Sequence, residues 1–175
     1  MLPLKKILCP TDFSAPSYVA LEHAIELATH FNAELCLLHV VPFLDPTTPD
    51  MAYGFIGVAC VAPDAERKDD AMQQLLRLVA ARVPSDVKTR CEVKMGDADK
   101  EITCVAKEEA FDLMVIATHG LSGWRHLVFG SVAEAIVRQS QCPVLTVHAA
   151  PETETEAEVA PETNYELTLA ETSAA

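Results

Sequence analysis

Five short apolar runs alternate along this chain with segments whose apolar residues recur at helical spacing. The runs cover residues 7–9, 35–41, 87–95, 111–117 and 143–147, and we interpret them as five strands. Most are apolar nearly throughout, which is typical of parallel strands covered on both faces. Because consecutive parallel strands need a crossover connection, the order βαβαβαβαβ predicts an α/β fold: an open five-stranded parallel sheet with helices on both faces.

The four predicted helices have recognisable ends and core faces. Ser14 can cap the first, Pro16 is tolerated in its first turn, and Asn32 fits the turn that follows. Asp97 or Asp99 can cap the third helix. The second helix is predicted over residues 64–83, and its core stripe is expected to be Met72, Leu75, Leu76, Val79 and Val83.

The loop after the fourth predicted strand is the strongest functional signal. It carries glycines at 120, 123 and 130, and a helix-like stretch follows over residues 132–140. Its backbone N–H groups and the positive end of the helix dipole favour an anion, usually a phosphate. Ligands of open parallel sheets bind beyond the carboxyl ends of the strands, where this loop and Asp12 both lie. The pattern therefore indicates a nucleotide site.

The overall charge excludes several classes of partner. The net charge is −13 over 175 residues, which argues against nucleic-acid binding because that requires a basic surface. Acidity also disfavours docking on an anionic membrane, and no run approaches the roughly 20 apolar residues that span a bilayer. Six cysteines without a Cys-x-x-Cys pair, and no signal-peptide core, are typical of free thiols in a reducing cytoplasm.

Two segments lie outside the repeating pattern. Residues 42–63 form a long connection with an apolar middle, typical of a lid, a partner surface or a disordered stretch. Residues 149–175 contain seven glutamates and no lysine or arginine, which predicts a disordered acidic tail. A short helix over 165–169 that meets a partner is the alternative. We therefore predict a nucleotide-binding domain over residues 1–148 and a tail over 149–175.

Five separated motifs closely resemble the universal stress protein family. They are Ile7-Leu-Cys-Pro-Thr-Asp-Phe-Ser14, Leu37-Leu-His-Val40, Ala117-Thr-His-Gly120, then Gly130-Ser131 after nine residues, and Cys142-Pro-Val-Leu145. The resemblance covers residues 5–148. It implies a Rossmann-like, adenine-nucleotide alpha-hydrolase-like fold, a cytoplasmic location and a homodimer paired through the last strand, residues 144–147.

Many members of that family bind ATP through a Gly-x-x-Gly-x9-Gly-Ser/Thr pattern. Here Ala117 replaces the first glycine, while Gly120, Gly130 and Ser131 match. The added methyl group would matter only if position 117 needs a positive φ or lies against the adenine or ribose. The resemblance thus implies ATP or AMP as the ligand, with Mg²⁺ as an optional bridge between phosphates.

The resemblance also implies a role for each site residue. Asp12 would lie by the ribose or adenine, Val40 at the adenine edge, and Ile116 with Ala117 on the other wall. Gly120, Gly130, Ser131 and Val132 would form the phosphate cradle, with Arg125 and His126 within reach of the phosphates. The full set expected around the nucleotide is Pro10, Thr11, Asp12, Val40, Ile116, Ala117, His119, Gly120, Gly123, Arg125, His126, Gly130, Ser131 and Val132.

Simpler interpretations stay open at several of these positions. Asp12 would then only cap the first helix, and Ser131 would only cap the fourth beside glycines that build a tight turn. Arg125 would be a solvated surface cation. His119 and His126 lack a Cys or Asp partner at metal-ligand spacing.

Catalytic motifs are missing from the sequence. It contains no Gly-x4-Gly-Lys-Ser/Thr loop and no Gly-x-Ser-x-Gly elbow. We therefore expect a nucleotide-binding stress-response sensor or regulatory module with an unknown protein partner. The alternatives are a nucleotide-free interaction module and a weak ATPase with slow hydrolysis.

Overall fold

The computed structural model describes residues 4–43, 63–118 and 130–148. The strands in these ranges are β1 Lys6–Pro10, β2 Glu34–Val41, β3 Thr89–Met95, β4 Leu113–Ala117 and β5 Val144–Val147. They form one sheet in the spatial order β3-β2-β1-β4-β5, and every neighbouring pair is parallel. The predicted five-stranded parallel sheet is confirmed. Most of the long connection (44–62) and the predicted tail (149–175) lie outside the described residues.

Helices pack on both faces of this sheet, as predicted. They are α1 Ala15–Phe31, α2 Asp64–Arg82, α3 Ala98–Glu108 and α4 Ser131–Gln139. One core joins Ile7, Cys9, Leu35 and Leu37 of the sheet to α1 and α2. The other joins Leu8, Cys36 and Leu38 to α3 and α4. Because successive strand residues point to opposite faces, β1 and β2 supply both cores, which explains their unbroken apolar sequences.

The ends of the helices follow local chemistry. The Ser14 Oγ accepts a hydrogen bond from the Ser17 N–H at 3.3 Å, and Pro16 lies in the first turn of α1. Asn32 ends α1 with a φ of 51°, a left-handed conformation that asparagine tolerates. Asp97 occupies the N-cap position of α3, without a side-chain capping bond. The predictions at Ser14, Pro16 and Asn32 are confirmed, and of the two aspartates proposed for α3 it is Asp97 that stands at the cap.

The core stripe predicted for α2 was partly wrong. The buried residues are Ala71, Leu75 and Leu78, which stand at the i, i+4, i+7 spacing of one helix face. Leu76 is 49% exposed, because one residue along a helix turns its side chain by about 100° from Leu75. Three further members of the predicted stripe pack only partly buried at the border of the core: Met72, Val79 and Val83.

The chain reverses its direction across the sheet between β1 and β4. From β1 the connections lead outward through β2 to β3, whereas β4 leads to β5 on the other side. β1 pairs with β4 only at Ile7 and Leu8, near their amino ends, but it pairs with β2 along all five residues. A crevice therefore opens at the carboxyl ends of β1 and β4, where ligands of such sheets bind. Among the described helices none combines the length and apolarity needed to cross a membrane.

Candidate functional site

A cavity of about 280 Å³ occupies this crevice at the carboxyl ends of β1, β2 and β4. The predicted site residues that line it are Pro10, Thr11, Asp12, Val40, Ile116, Ala117, Gly130, Ser131 and Val132. The remaining predicted residues, His119, Gly120, Gly123, Arg125 and His126, lie outside the described residues. All nine described members of the predicted set thus meet in one cavity, although they come from distant parts of the sequence.

Eight further residues line the cavity and were not among the predicted site residues. They are Ser17, Leu38, His39, Ala98, Ile102, Thr118, Ala133 and Ile136. Leu38, Ile102 and Ile136 are at most 5% exposed, so the cavity floor is continuous with the core between the sheet, α3 and α4. An apolar floor of this kind can accept the face of a flat heteroaromatic ring.

The amino end of α4 opens into the cavity. Gly130 is the N-cap residue with φ −69° and ψ 155°, and it makes no side-chain capping bond. The first helical hydrogen bond runs from the Glu134 N–H to the Gly130 carbonyl at 2.9 Å. The N–H groups of Ser131, Val132 and Ala133 precede that bond and have no acceptor within the helix. Donors and helix dipole together suit an anion.

Ser131 therefore does not cap this helix. The alternative expectation placed it at the N-cap, but Ser131 is the first helical residue and Gly130 holds the cap position. The Gly130 φ of −69° is also accessible to any residue. A positive φ is thus not the reason for a glycine here.

Thr118 follows β4 and begins the glycine loop, which runs to Gly130. It is hydrogen-bonded to the start of α4 and to the end of β5. Its carbonyl accepts a hydrogen bond from the Gly130 N–H at 2.7 Å, and its own N–H donates to the Val147 carbonyl at 2.9 Å. The buried Thr118 hydroxyl also pairs with the His148 Nδ1 at 3.1 Å. The first residue of the glycine loop and the residue that ends it are therefore held together at the end of β5.

Ala117 lies in an ordinary strand conformation. It is the last residue of β4, pairs with Val147, and is not among the residues with positive φ. Its methyl group therefore does not conflict with a positive φ. The methyl group would still matter if a nucleotide's adenine or ribose lies against it, because Ala117 lines the cavity.

Asp12 combines a local role with its place in the cavity. Its Oδ1 accepts hydrogen bonds from the Ser14 N–H at 3.1 Å and from the Ser14 hydroxyl at 2.5 Å. Ser14 in turn caps α1. Asp12 thus steadies the capping serine without being the cap itself, and the same residue lines the cavity.

The residues on either side of Asp12 are held by β2 and α1. The Thr11 N–H donates to the Leu38 carbonyl at 2.9 Å, and the His39 Nδ1 lies 2.8 Å from the Thr11 carbonyl. The buried Thr11 hydroxyl pairs with Ser17 Oγ at 2.9 Å and accepts from the Phe13 N–H at 3.1 Å. This network fixes the loop on which Asp12 stands.

The charge of the cavity is sparse within the described residues. Asp12 is the acidic residue of its described lining, and neither lysine nor arginine lines that part. No cluster of three or more His, Cys, Asp or Glu suited to a metal ion occurs in residues 4–43, 63–118 and 130–148. The described lining thus offers an anion backbone N–H groups and no permanent cation.

Known proteins resemble this chain in both sequence and fold. Residues 3–148 match the sequence model described as the universal stress protein family. The chain is 29% identical over 152 residues to universal stress protein MJ0577 of Methanocaldococcus jannaschii, an alignment covering 82% of this chain and 94% of the relative. The solved structure of MJ0577 superposes with a TM-score of 0.69 at 26% identity, covering 85% of this chain and 99% of that one.

Two solved structures of similar fold contain a nucleotide. One is a universal stress protein in complex with cAMP, with TM-score 0.56, 22% identity, and coverage of 84% of this chain and 98% of that one. The other is an Arabidopsis thaliana family protein with AMP bound, with TM-score 0.55, 19% identity, and coverage of 87% and 97%. At these identities the likeness concerns the fold.

Proposed function

Because this chain belongs to the universal stress protein family, whose sequence model matches residues 3–148, we propose that its cavity binds an adenine nucleotide, ATP or AMP. The observation that carries the proposal is the convergence of three features in one cavity. An apolar floor, the Asp12 carboxylate and the open amino end of α4 line the same space. These match the three parts of a nucleotide: base, ribose and phosphates.

The base would lie between Val40 and Ile116, over the apolar floor. Both residues line the cavity near the carboxyl ends of β2 and β4, which flank β1 in the sheet. An adenine ring buries two apolar faces and keeps its polar edge for hydrogen bonds. Backbone groups at the end of β2, where Val40 lies, would meet that edge.

The ribose would lie beside Asp12. A carboxylate only accepts hydrogen bonds, which suits the donating hydroxyls of a sugar. Its fixed position, through the bonds to Ser14, lowers the entropy lost when the sugar binds.

The phosphates would lie at the amino end of α4. Gly130, Ser131 and Val132 line the cavity there, and the free N–H groups of the first helical turn attract an anion. The remaining residues proposed for the cradle lie in the part of the loop outside the described residues. They are His119, Gly120, Gly123, Arg125 and His126. Mg²⁺ would reach the site with the nucleotide, which supplies phosphate oxygens as ligands.

The biological role that we propose is that of a stress-response regulatory module. A nucleotide bound at α4 would change the surface that a partner protein meets. The complexes of related folds with cAMP and with AMP support an adenine ligand for this family. A cytoplasmic location accords with the described cysteines, all of which are free.

Calorimetric titration of ATP and AMP, with and without Mg²⁺, into protein stripped of nucleotide tests this proposal. We expect micromolar binding that is lost when Gly130 and Ser131 are both replaced by valine, while circular dichroism shows an intact fold. Unchanged affinity in the folded double variant would refute the cradle. Absence of binding to the wild-type protein would favour a nucleotide-free interaction module.

We also propose that β5 pairs with a second copy of the chain. β5 has a described neighbour, β4, on one side only, and an open edge strand is an association hazard that proteins cover. Leu145 on β5 and Val137 on α4 are 40% and 46% exposed. Exposed apolar side chains near an open edge suit pairing of β5 with β5 of a partner copy.

Sedimentation velocity at micromolar concentration tests this assembly. The wild-type protein should sediment as a dimer, and Leu145→Glu should shift it towards the monomer because two charges would face a buried seam. Leu76→Glu is the matched control, since Leu76 is an exposed leucine on the distant α2. A monomeric wild-type protein would contradict the pairing.

A further inference from the structure

We propose that His39 is a positioning residue that fixes the loop from Thr11 to Phe13, so that the Asp12 carboxylate is held where it can meet a ribose hydroxyl. The inference rests on the proposed nucleotide binding and deepens it. Within the described residues His39 contacts Thr11 and Phe13, which flank Asp12, so it would act through the backbone that carries Asp12. Three observations carry this proposal.

The first observation is the hydrogen bond between His39 and Thr11. The His39 Nδ1 lies 2.8 Å from the Thr11 carbonyl oxygen. A carbonyl only accepts, so Nδ1 must carry the hydrogen and donate it. This bond fixes the imidazole in its Nδ1–H tautomer when neutral. The Thr11 N–H also donates to the Leu38 carbonyl. Two consecutive residues of β2, Leu38 and His39, therefore hydrogen-bond to the backbone of Thr11.

The second observation is the backbone of Phe13. Its φ is 62°, a left-handed conformation that a residue with a large side chain seldom adopts. Such strain persists only where the surroundings hold it. The His39 ring lies 4.5 Å from the Phe13 ring, with 39° between their planes, and thus packs directly on the strained residue.

The third observation is the place of Asp12 between these two contacts. His39 holds the residue before Asp12 by a hydrogen bond and the residue after it by ring packing. Ser14 then holds the carboxylate itself. Loss of His39 would therefore remove one contact from each neighbour of Asp12. The hydrogen bonds of Thr11 to Leu38, Ser17 and Phe13 and those of Asp12 to Ser14 would stay available.

Two substitutions separate the two contacts. His39→Phe keeps a ring against Phe13 but replaces the donating nitrogen by carbon. His39→Asn removes the ring but places an amide N–H where Nδ1 stood, since the asparagine side-chain amide is equivalent in position to Nδ1. The hydrogen bond is the contact that sets the Thr11 carbonyl, so we expect His39→Asn to restore function that His39→Phe lacks.

The readout is discrimination between ATP and its 2′-deoxy and 3′-deoxy forms, measured by calorimetry. If Asp12 accepts from a ribose hydroxyl, the wild-type protein should bind one deoxy form about ten- to hundredfold more weakly than ATP. In His39→Phe the affinity for ATP should fall about tenfold, whereas the affinity for that deoxy form should change less than about threefold. His39→Asn should recover most of the discrimination.

Equal discrimination in wild-type protein and folded His39→Phe would overturn the proposal, because Asp12 would then be positioned without His39. So would His39→Asn that behaves as His39→Phe, since the donor would be irrelevant. A wild-type protein that binds ATP without discriminating the deoxy forms would also overturn it. Failure of the proposed function looks different, because the wild-type protein would then bind none of the three nucleotides.

A second measurement needs neither nucleotide nor a stable variant. Long-range ¹⁵N–¹H correlation spectra of the wild-type protein at pH 8 report which ring nitrogen of each histidine carries the hydrogen. We expect the Nδ1–H tautomer at His39. The Nε2–H tautomer, which the neutral histidine side chain prefers in water, would remove the donated hydrogen bond and refute the proposal even if no nucleotide binds.

Discussion

Replacing Gly130 by alanine separates a glycine required for folding from a glycine required for ligand approach. The φ of −69° and ψ of 155° at Gly130 are open to alanine without strain. Alanine is a poorer N-cap than glycine by up to about 1 kcal/mol. Alanine also lowers the conformational entropy of the unfolded chain, which stabilises the folded protein by about 0.4–1 kcal/mol. The two effects offset each other, so the free energy of unfolding should stay nearly constant.

The cost should instead appear in nucleotide binding. Gly130 caps α4 and lines the cavity beside Ser131 and Val132. If a phosphate binds there, its oxygen must come within about 2.9 Å of an N–H group to accept a hydrogen bond, and we expect the added methyl group to hinder that approach. Loss of one such charge-assisted hydrogen bond costs about 1.5–3 kcal/mol, or roughly ten- to hundredfold in Kd. Adenosine has no phosphate, so its affinity should stay within about twofold.

Calorimetry with ATP and adenosine, together with chemical denaturation, measures both quantities. Gly96→Ala is the matched control for folding, because Gly96 has a φ of 147° and an added Cβ would lie 2.9 Å from the Glu101 side chain. That variant should lose about 1–3 kcal/mol of stability. ATP affinity that survives in folded Gly130→Ala would refute the idea that this glycine admits a phosphate.

Three other expectations follow from the same structure. Ala117→Gly should strengthen nucleotide binding in a titration if the methyl group narrows the cavity, and an unchanged Kd would show that alanine is compatible with the site. Burial raises the pKa of the Cys9 and Cys36 thiols to about 12 from an ordinary 9.0. Both should resist thiol reagents until the protein unfolds. Their folded pKa is the higher one, so stability present below pH 9 should fall as pH rises towards 12 in denaturation curves. Leu75→Ala and Ile136→Ala should each cost about 2–5 kcal/mol of unfolding free energy, but only Ile136→Ala should also weaken nucleotide binding.

The sequence predicted the fold well because its signals are local or periodic. Apolar runs marked the strands, and Ser14 and Asn32 marked both ends of α1. The error at Leu76 arose because Leu75 and Leu76 are both apolar, and periodicity alone does not say which of two neighbours faces the sheet. The exposed fraction of Leu76 is set by the position of α2 against β2 and β3, which is a tertiary property.

The lining of the cavity was predicted in part for a similar reason. Pro10 and Val40 lie at the carboxyl ends of β1 and β2, Asp12 follows β1, and Gly130 caps α4. Motif spacing identified all four. His39 lies within one of the five motifs, but the sequence does not indicate its role, because its partner Thr11 lies 28 residues away. The parallel register that pairs Pro10 with Leu38 places Thr11 beside His39. A polar pair at the same level of two adjacent strand ends is the signal that could have identified this contact.

The two cores of the fold contribute unequally to the cavity. Leu38, Ile102 and Ile136 are buried in the core with α3 and α4, and the same residues form the cavity floor. The core with α1 and α2, which contains Leu75, includes few residues of the cavity. A nucleotide that covers the floor would contact residues of the core with α3 and α4. Binding should therefore stabilise that face of the sheet most strongly. Hydrogen exchange with and without ATP should therefore slow more in β4 and α4 than in α2, and equal slowing would place the ligand elsewhere.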